Sequence, residues 1–359
     1  MSGSESVAAR PAPIRRSKPK PVHTFSGLRC LAWHGELLFA SHAYTLLCAN
    51  MVDPVPRWRT VASFRPAWWR NLTVARRLSC RLFRDGFDSL VALGSGHLIA
   101  SVPGAIVTFM PGETEFHISH NLQPDTHPPH IAATPEGKLF WGESFDKAGH
   151  REVHIYASRD CGLTWEVAYS FPKGATGRVC NIVYDDWEHC LWILTGDEGG
   201  GGSRILRGSS DLGSVETVFS GALQGRPTAF VPTRDALYFA ADTPAASPGI
   251  YRLGRNGSLV TVAHVDSSSL SGCGVGTSIF FSTIAEPRRA NSSRAVKLYR
   301  SDDGYYWEEF LDWQKDFWSI ELFQCGNASL APGHNATDLL ALSTVAVTDA
   351  DLETSLWRI

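Results

Sequence analysis

The sequence predicts an all-β protein folded as a seven-bladed β-propeller, with six blades as the alternative. Three observations carry that prediction. A strand closing on small and polar residues recurs along the 359 residues. Short apolar strands are separated by Gly, Pro and Asp turns, and no long stretch has helical periodicity. Four-stranded blades repeat at roughly 40–50 residues, and the best-marked copies here stand 44 to 54 residues apart.

In chain order, residues 1–22, "MSGSESVAARPAPIRRSKPKPV", are rich in Pro, Ser and basic side chains. They read as a solvated, disordered arm before a single propeller domain at 23–359. The recurring strand comes first as "LLFASHAY" near residue 40 and "LIASVPG" near residue 100. It returns as "LFWGES", "LWILTGDE", "LYFAADTP" and "IFFSTIAEP", closing on Glu143, Asp197, Asp242 and Glu286, and last as "LLALSTVAV" near residue 342. One blade reads in full as "PHIAATPEG", "KLFWGES", "VHIYASRD", "TWEVAYSF", with the first strand on the central channel and the fourth outermost. The C-terminal "ETSLWRI" is expected to share the last blade with an N-terminal strand near "VHTF", which removes exposed edges.

Composition narrows the function. Hydrophobic residues are 43% and aromatics 11%, enough for a large core. A formal net charge of −3 makes neither nucleic acid nor an anionic membrane an obvious partner. No apolar run has the length of a membrane span. Eight cysteines occur without CxxC pairs, which suits reduced, mostly buried thiols rather than a zinc ribbon. Five sequons begin at Asn71, Asn256, Asn291, Asn327 and Asn335. They matter only in a secretory compartment, and with no leader-like apolar stretch the expected location is cytoplasmic. Oligomeric state is left open.

The segment "SRDCGLTW" falls between the third and fourth strands of a blade. Ser158, Asp160, Gly162, Thr164 and Trp165 match the Asp-box pattern S/T-x-D-x-G-x-T-W/F at every defining position. A degenerate copy keeps Ser209, Asp211 and Gly213, and a third, "RSDDGYYW", keeps Asp302, Gly304 and Trp307 with Arg300 in the serine position. The pattern resembles that of the sialidase-like (BNR repeat) β-propeller superfamily. The "TGD" and "GALQGRPT" segments are similar to those of uncharacterised bacterial glycosyl-hydrolase-like propellers. The box itself is a turn: its carboxylate accepts backbone N–H groups, its glycine supplies positive φ, and its tryptophan packs between sheets. A calcium loop needs more oxygen ligands than the segment offers.

The box turns mark one face of the ring, so chemistry is sought on the other. There the second-to-third-strand loops bring Glu143, Asp197, Asp242 and Glu286. The blade-to-blade connections bring His127 and His130, Arg178 and Asn181, Gln224 and Arg226, and Lys315 with Asp316. His127 and His130 have HxxH spacing but lack further zinc ligands, and no metal or cofactor is expected. Arg178 and Arg226 suit a planar carboxylate, which an arginine fork binds bidentately. Trp141 is expected to offer a stacking face to a sugar.

The resemblance implies a carbohydrate-active protein, and these residues direct that expectation to an acidic oligo- or polysaccharide. In a hydrolytic version Glu143 and Asp197 supply acid and base or nucleophile. In a lyase version His130 abstracts the proton α to a carboxylate neutralised by arginine. Asn181, Gln224, Asp242, Glu286 and Lys315 fill the binding site. The F/Y-R-I-P motif of true sialidases is absent, so the resemblance implies the wider superfamily. The alternative is a non-catalytic propeller that binds a glycan or protein, or serves assembly.

Overall fold

A strand covered by neighbours on both faces loses the alternation of a half-exposed strand and reads as an unbroken apolar run. That is why "CLWILTG" carries no polar face: all seven residues of that strand are buried. The structure is a computed structural model that describes residues 19–66, 86–124, 126–127, 129–145, 151–196, 203–221, 226–242, 248–286, 293–320 and 324–359.

The strands form seven sheets arranged as the blades of a β-propeller. After β1 (His23–Ser26), blade 1 holds β2 (Arg29–Gly35), β3 (Leu37–His42), β4 (Thr45–Asn50) and β5 (Arg59–Ser63). Blade 2 holds β6 (Ser89–Ala92), β7 (Leu98–Val102), β8 (Ala105–Phe109) and β9 (His117–Asn121). Blade 3 holds β10 (Ala132–Ala133), β11 (Leu139–Gly142), β12 (Val153–Ser158) and β13 (Glu166–Phe171). Blade 4 follows with β14 (Arg178–Asp185), β15 (Cys190–Gly196), β16 (Ser203–Ser209) and β17 (Val215–Gly221). Blade 5 has β18 (Arg226–Pro232), β19 (Ala236–Asp242), β20 (Gly249–Gly254) and β21 (Leu259–His264). Blade 6 has β22 (Ser269–Val275), β23 (Ser278–Thr283), β24 (Ala295–Ser301) and β25 (Glu308–Gln314). Blade 7 is built from β26 (Asn327–Leu330), β28 (Leu339–Val345) and β29 (Glu353–Arg358), while β27 (Gly333–Asn335) crosses to pair parallel with β2. Among the described residues there is no helix that is long and apolar enough to cross a membrane.

Closure joins the two ends of the described chain. β1 is the outermost strand of blade 7, antiparallel to β29, with His23 opposite Leu356 and Ser26 opposite Glu353. Blades pack face to face through apolar clusters. Phe39 and Leu46 of blade 1 meet Phe87 and Leu98 beside blade 2, and Leu38 and Ala49 meet Leu339 and Leu356 of blade 7. Where blades 3 and 4 approach, Gly142 is required: a Cβ there would lie inside the Val179 side chain.

The turn at Asp160 joins β12 to β13. The Ser158 hydroxyl donates to Asp160 at 2.8 Å, and the Thr164 N–H and hydroxyl donate at 2.9 and 2.6 Å. Gly162 takes φ +83 and donates its N–H to Ser158. Trp165 packs towards blade 2 and donates its indole N–H to Ser119 at 3.1 Å. The copy at Ser209 and Asp211 repeats the hydroxyl-to-carboxylate bond at 2.7 Å. In blade 6 the register differs from that read in the sequence. Ser301, not the Arg300 position, supplies the hydroxyl, and Asp303 receives it together with the N–H groups of Tyr305 and Tyr306, both at 2.8 Å. Asp302 instead accepts from Arg300 and from Ser278 of the neighbouring hairpin. One extra acidic residue in "SDDG" makes the two alignments equally readable, and the serine hydroxyl decides between them.

All seven cysteines among the described residues are reduced thiols. Cys30 lies at the closure, where its N–H donates to Ser343 at 2.7 Å and Ser343 shares a hydrogen bond with Thr354 at 2.6 Å. Removing a buried hydroxyl strands the groups it satisfied, at about 1–3 kcal/mol. Ser343→Ala is therefore expected to lower stability by about 2 kcal/mol, and Asp160→Ala by about 1–2 kcal/mol through its lost turn bonds. Urea unfolding checks both, and near-neutral substitutions would refute the closure role of Ser343 and the turn role of Asp160.

Candidate functional site

The strand-end geometry separates the two faces. β12 to β13, with Asp160, turns at one end of blade 3, while β11 to β12, with Glu143, turns at the other. On the Glu143 side a cavity of about 250 Å³ opens among the innermost strands of blades 3 to 6. His127 and His130 reach it from the entry to blade 3, Cys180 and Asn181 from β14, Thr228 from β18, and Leu270 from β22.

A local irregularity aims these groups. The first hairpins of blades 1, 4, 5 and 6 each carry a register shift, at Cys30/Ala32, Val179/Asn181, Pro227/Ala229 and Ser269/Ser271. A bulge puts one extra residue into the ladder and bends its strand. The residues at the four bulges are Leu31, Cys180, Thr228 and Leu270, and the last three line the cavity.

His130 is open to solvent yet surrounded by protein, as a group inside a channel is. Loss of hydration, and then the positive charge of Arg29, push its pKa below the usual histidine value of 6.5, so the neutral ring is favoured. Arg29 opens β2 and donates to the Phe87 carbonyl at 3.0 Å, with its guanidinium 3.7 Å from Asp88. Sequence reasoning missed Arg29. The signal was present: Arg29, Arg178 and Arg226 each stand two residues before the bulged position of their strand.

The remaining sequence-derived residues divide. Asn181 lines the cavity, but its amide also donates to the Thr228 carbonyl at 3.1 Å. Arg178 is half-buried at the first position of β14, beside the cavity residue Val179. The backbones of Arg226 and Asp242 pair in register at the same end of blade 5, and their side chains lie outside what the structure describes. Asp197 and Gln224 lie outside the described residues. Glu143 is only 3% exposed; its carboxylate turns into the blade, accepting the His154 N–H at 2.9 Å and the Tyr156 hydroxyl at 3.3 Å. Trp141 is 1% exposed and stacks on Tyr156 at 4.4 Å, so it packs in the core and presents no face to a sugar. Glu286 is half-buried just after β23. Lys315 is turned into its own loop, where its ammonium pairs with Asp316 and donates to the Trp318 carbonyl at 3.0 Å.

Among the described residues one group has the spacing of a metal site: Asp185, Glu188 and Cys190. It lies at the same end of the ring as the Asp160 turn, away from the cavity. Arg255 from blade 5 pairs with Asp185 and stands 3.5 Å from Glu188, and the Trp192 indole donates to Asp185 at 2.9 Å. A guanidinium thus supplies the positive charge there, and the group works as an inter-blade clasp.

No family model matches the chain, and no curated protein matches it either. Solved structures do. A chain in the crystal structure of a mitotic checkpoint complex is similar at TM-score 0.59, with 12% identity over 99% of both chains. Oligogalacturonate lyase from Vibrio parahaemolyticus is similar at TM-score 0.56, with 9% identity over 94% of this chain and 98% of that one. At such identities the likeness shows the fold alone: this chain is a β-propeller.

Proposed function

We infer that the chain is a carbohydrate-active propeller that takes an acidic glycan at the channel mouth and cleaves it by proton abstraction rather than hydrolysis. The observation that carries this reading is His130, which lines the cavity at the channel mouth and is held towards its neutral form with Arg29 in its electrostatic reach. The Asp160 turn, with its resemblance to sialidase-like propellers, and the lyase among the similar structures are consistent with it.

In this scheme the Nε2 or Nδ1 atom of neutral His130 takes the proton α to a uronate carboxylate. The electron pair left on carbon forms a double bond as the bond to the glycosidic oxygen breaks, and that oxygen leaves with a proton from water. Arg29, Arg178 and Arg226 stabilise the charge that builds on the carboxylate. The hydrolytic scheme is weaker, because the Glu143 carboxylate is committed to His154 and Tyr156 inside the blade. A binding-only propeller is favoured by one observation: Asn181 spends its amide donor on the neighbouring blade.

Incubation with polygalacturonate and alginate is expected to release an unsaturated product absorbing in the near ultraviolet. His130→Ala should lower that rate about a thousand-fold with little change in substrate affinity. Binding without product in the wild type would leave the binding-only reading standing. The pH dependence has a definite sign. The folded-state pKa of His130 is depressed below 6.5, so its contribution to stability is full above that value and is lost as pH falls. The unfolding free energy of the wild type minus that of His130→Gln should therefore fall from pH 7 to pH 5. A difference that grows on acidification refutes the assignment.

A further inference from the structure

The rim that holds the cavity also carries the connection from β25 to β26, and two aromatic side chains stand out from it. Phe317 is 88% exposed and Trp318 36% exposed, with ring centroids 4.9 Å apart and planes at 29°. These rings are held up from below. The Lys315 N–H donates to the Arg294 carbonyl at 2.9 Å and the Asp316 N–H to the Ala346 carbonyl at 3.1 Å, which pins the loop to blades 6 and 7. The Lys315 ammonium bonds the Trp318 carbonyl, and the Asp316 carboxylate accepts the Trp318 N–H at 3.2 Å. The Lys315 and Asp316 side chains are only 4% and 9% exposed, so a shielded ion pair forms the base of the tip.

We propose that Phe317 and Trp318 form an outer subsite on which a pyranose ring of an acidic glycan stacks through its C–H face. The proposal rests on the reading of the cavity as a glycan site and extends it: the ligand is a chain long enough to run from the cavity to the rim. Two observations fit a uronate-bearing chain. Arg294, whose carbonyl accepts the Lys315 N–H at the foot of the same loop, is exposed and brings a cation to this part of the rim. Blade 6 contributes both Leu270 to the cavity and β25 to the loop, so one rigid sheet connects the two places. A preset aromatic surface costs little conformational entropy on binding.

Calorimetric titration of the full chain with polygalacturonate and with digalacturonate tests this. The Phe317→Ala/Trp318→Ala double variant is expected to bind the polymer about tenfold more weakly and the dimer as before. Lys315→Met, which keeps both rings and loosens their base, should give a smaller loss of the same kind. If the wild type binds both ligands and the double variant keeps full polymer affinity, the outer subsite is overturned while the cavity reading stands. Equal losses for dimer and polymer overturn it as a separate subsite. If the wild type binds neither ligand, the cavity reading fails and the subsite with it. Reduced self-association of the double variant with intact polymer binding would identify the rings as a protein contact and also overturn the proposal.

Discussion

A ring of separate sheets stays a ring only if every junction holds, and in this propeller a polar tie crosses each one. Arg29 reaches from blade 1 to Phe87 at the entry to blade 2 at 3.0 Å, and Ser89 reaches on to Pro129 at 2.9 Å. Blades 3 and 4 join through the Val179 N–H and the Glu143 carbonyl at 2.8 Å, and blades 4 and 5 through Asn181 and Thr228 at 3.1 Å. Thr228 then donates to Ser269, the Leu330 N–H to Ser271 at 2.9 Å, and the Cys30 N–H to Ser343 at 2.7 Å, which returns the circuit to blade 1. Apolar packing supplies most of the attraction between blades, but it is non-directional. Hydrogen bonds to buried partners fix the register, because a slipped blade leaves donors and acceptors unmet.

The same circuit explains why the two faces differ. On the Asp160 face, polar side chains close single turns and also clasp neighbouring blades, as Asp185 does with Arg255 and Trp165 with Ser119. On the other face they are used between blades, and the bulges at Cys180, Thr228 and Leu270 open space beside the ties. The cavity lining and the ring's polar ties therefore draw on the same few residues. Asn181 is the clearest case, since one face of its amide belongs to the architecture and the rest borders the cavity.

The architecture was legible in the sequence because burial on both faces leaves a solid apolar signature, as in β15, and because the Asp160 turn needs particular side chains at particular offsets. The closure by β1 was legible for a related reason: "VHTF" is an extended segment with no partner nearer in the sequence. Side-chain direction was harder to read. Glu143 and Trp141 sit where a mouth-facing pair would sit, yet strand pleat and the approach of Tyr156 turn both inward. Nothing in "FWGES" distinguishes those outcomes. Arg29 was missed because its strand begins after a short turn rather than one of the polar inter-blade connections. Its kinship with Arg178 and Arg226 emerges only from the shared bulge register.

Thr228 gives the bulged geometry a mechanical meaning. Its carbonyl is gripped from blade 4, its hydroxyl grips blade 6, and its own strand belongs to blade 5. Any molecule that displaces this one side chain tugs on three sheets together, so a filled cavity is felt as tension around part of the hub and not at a single point.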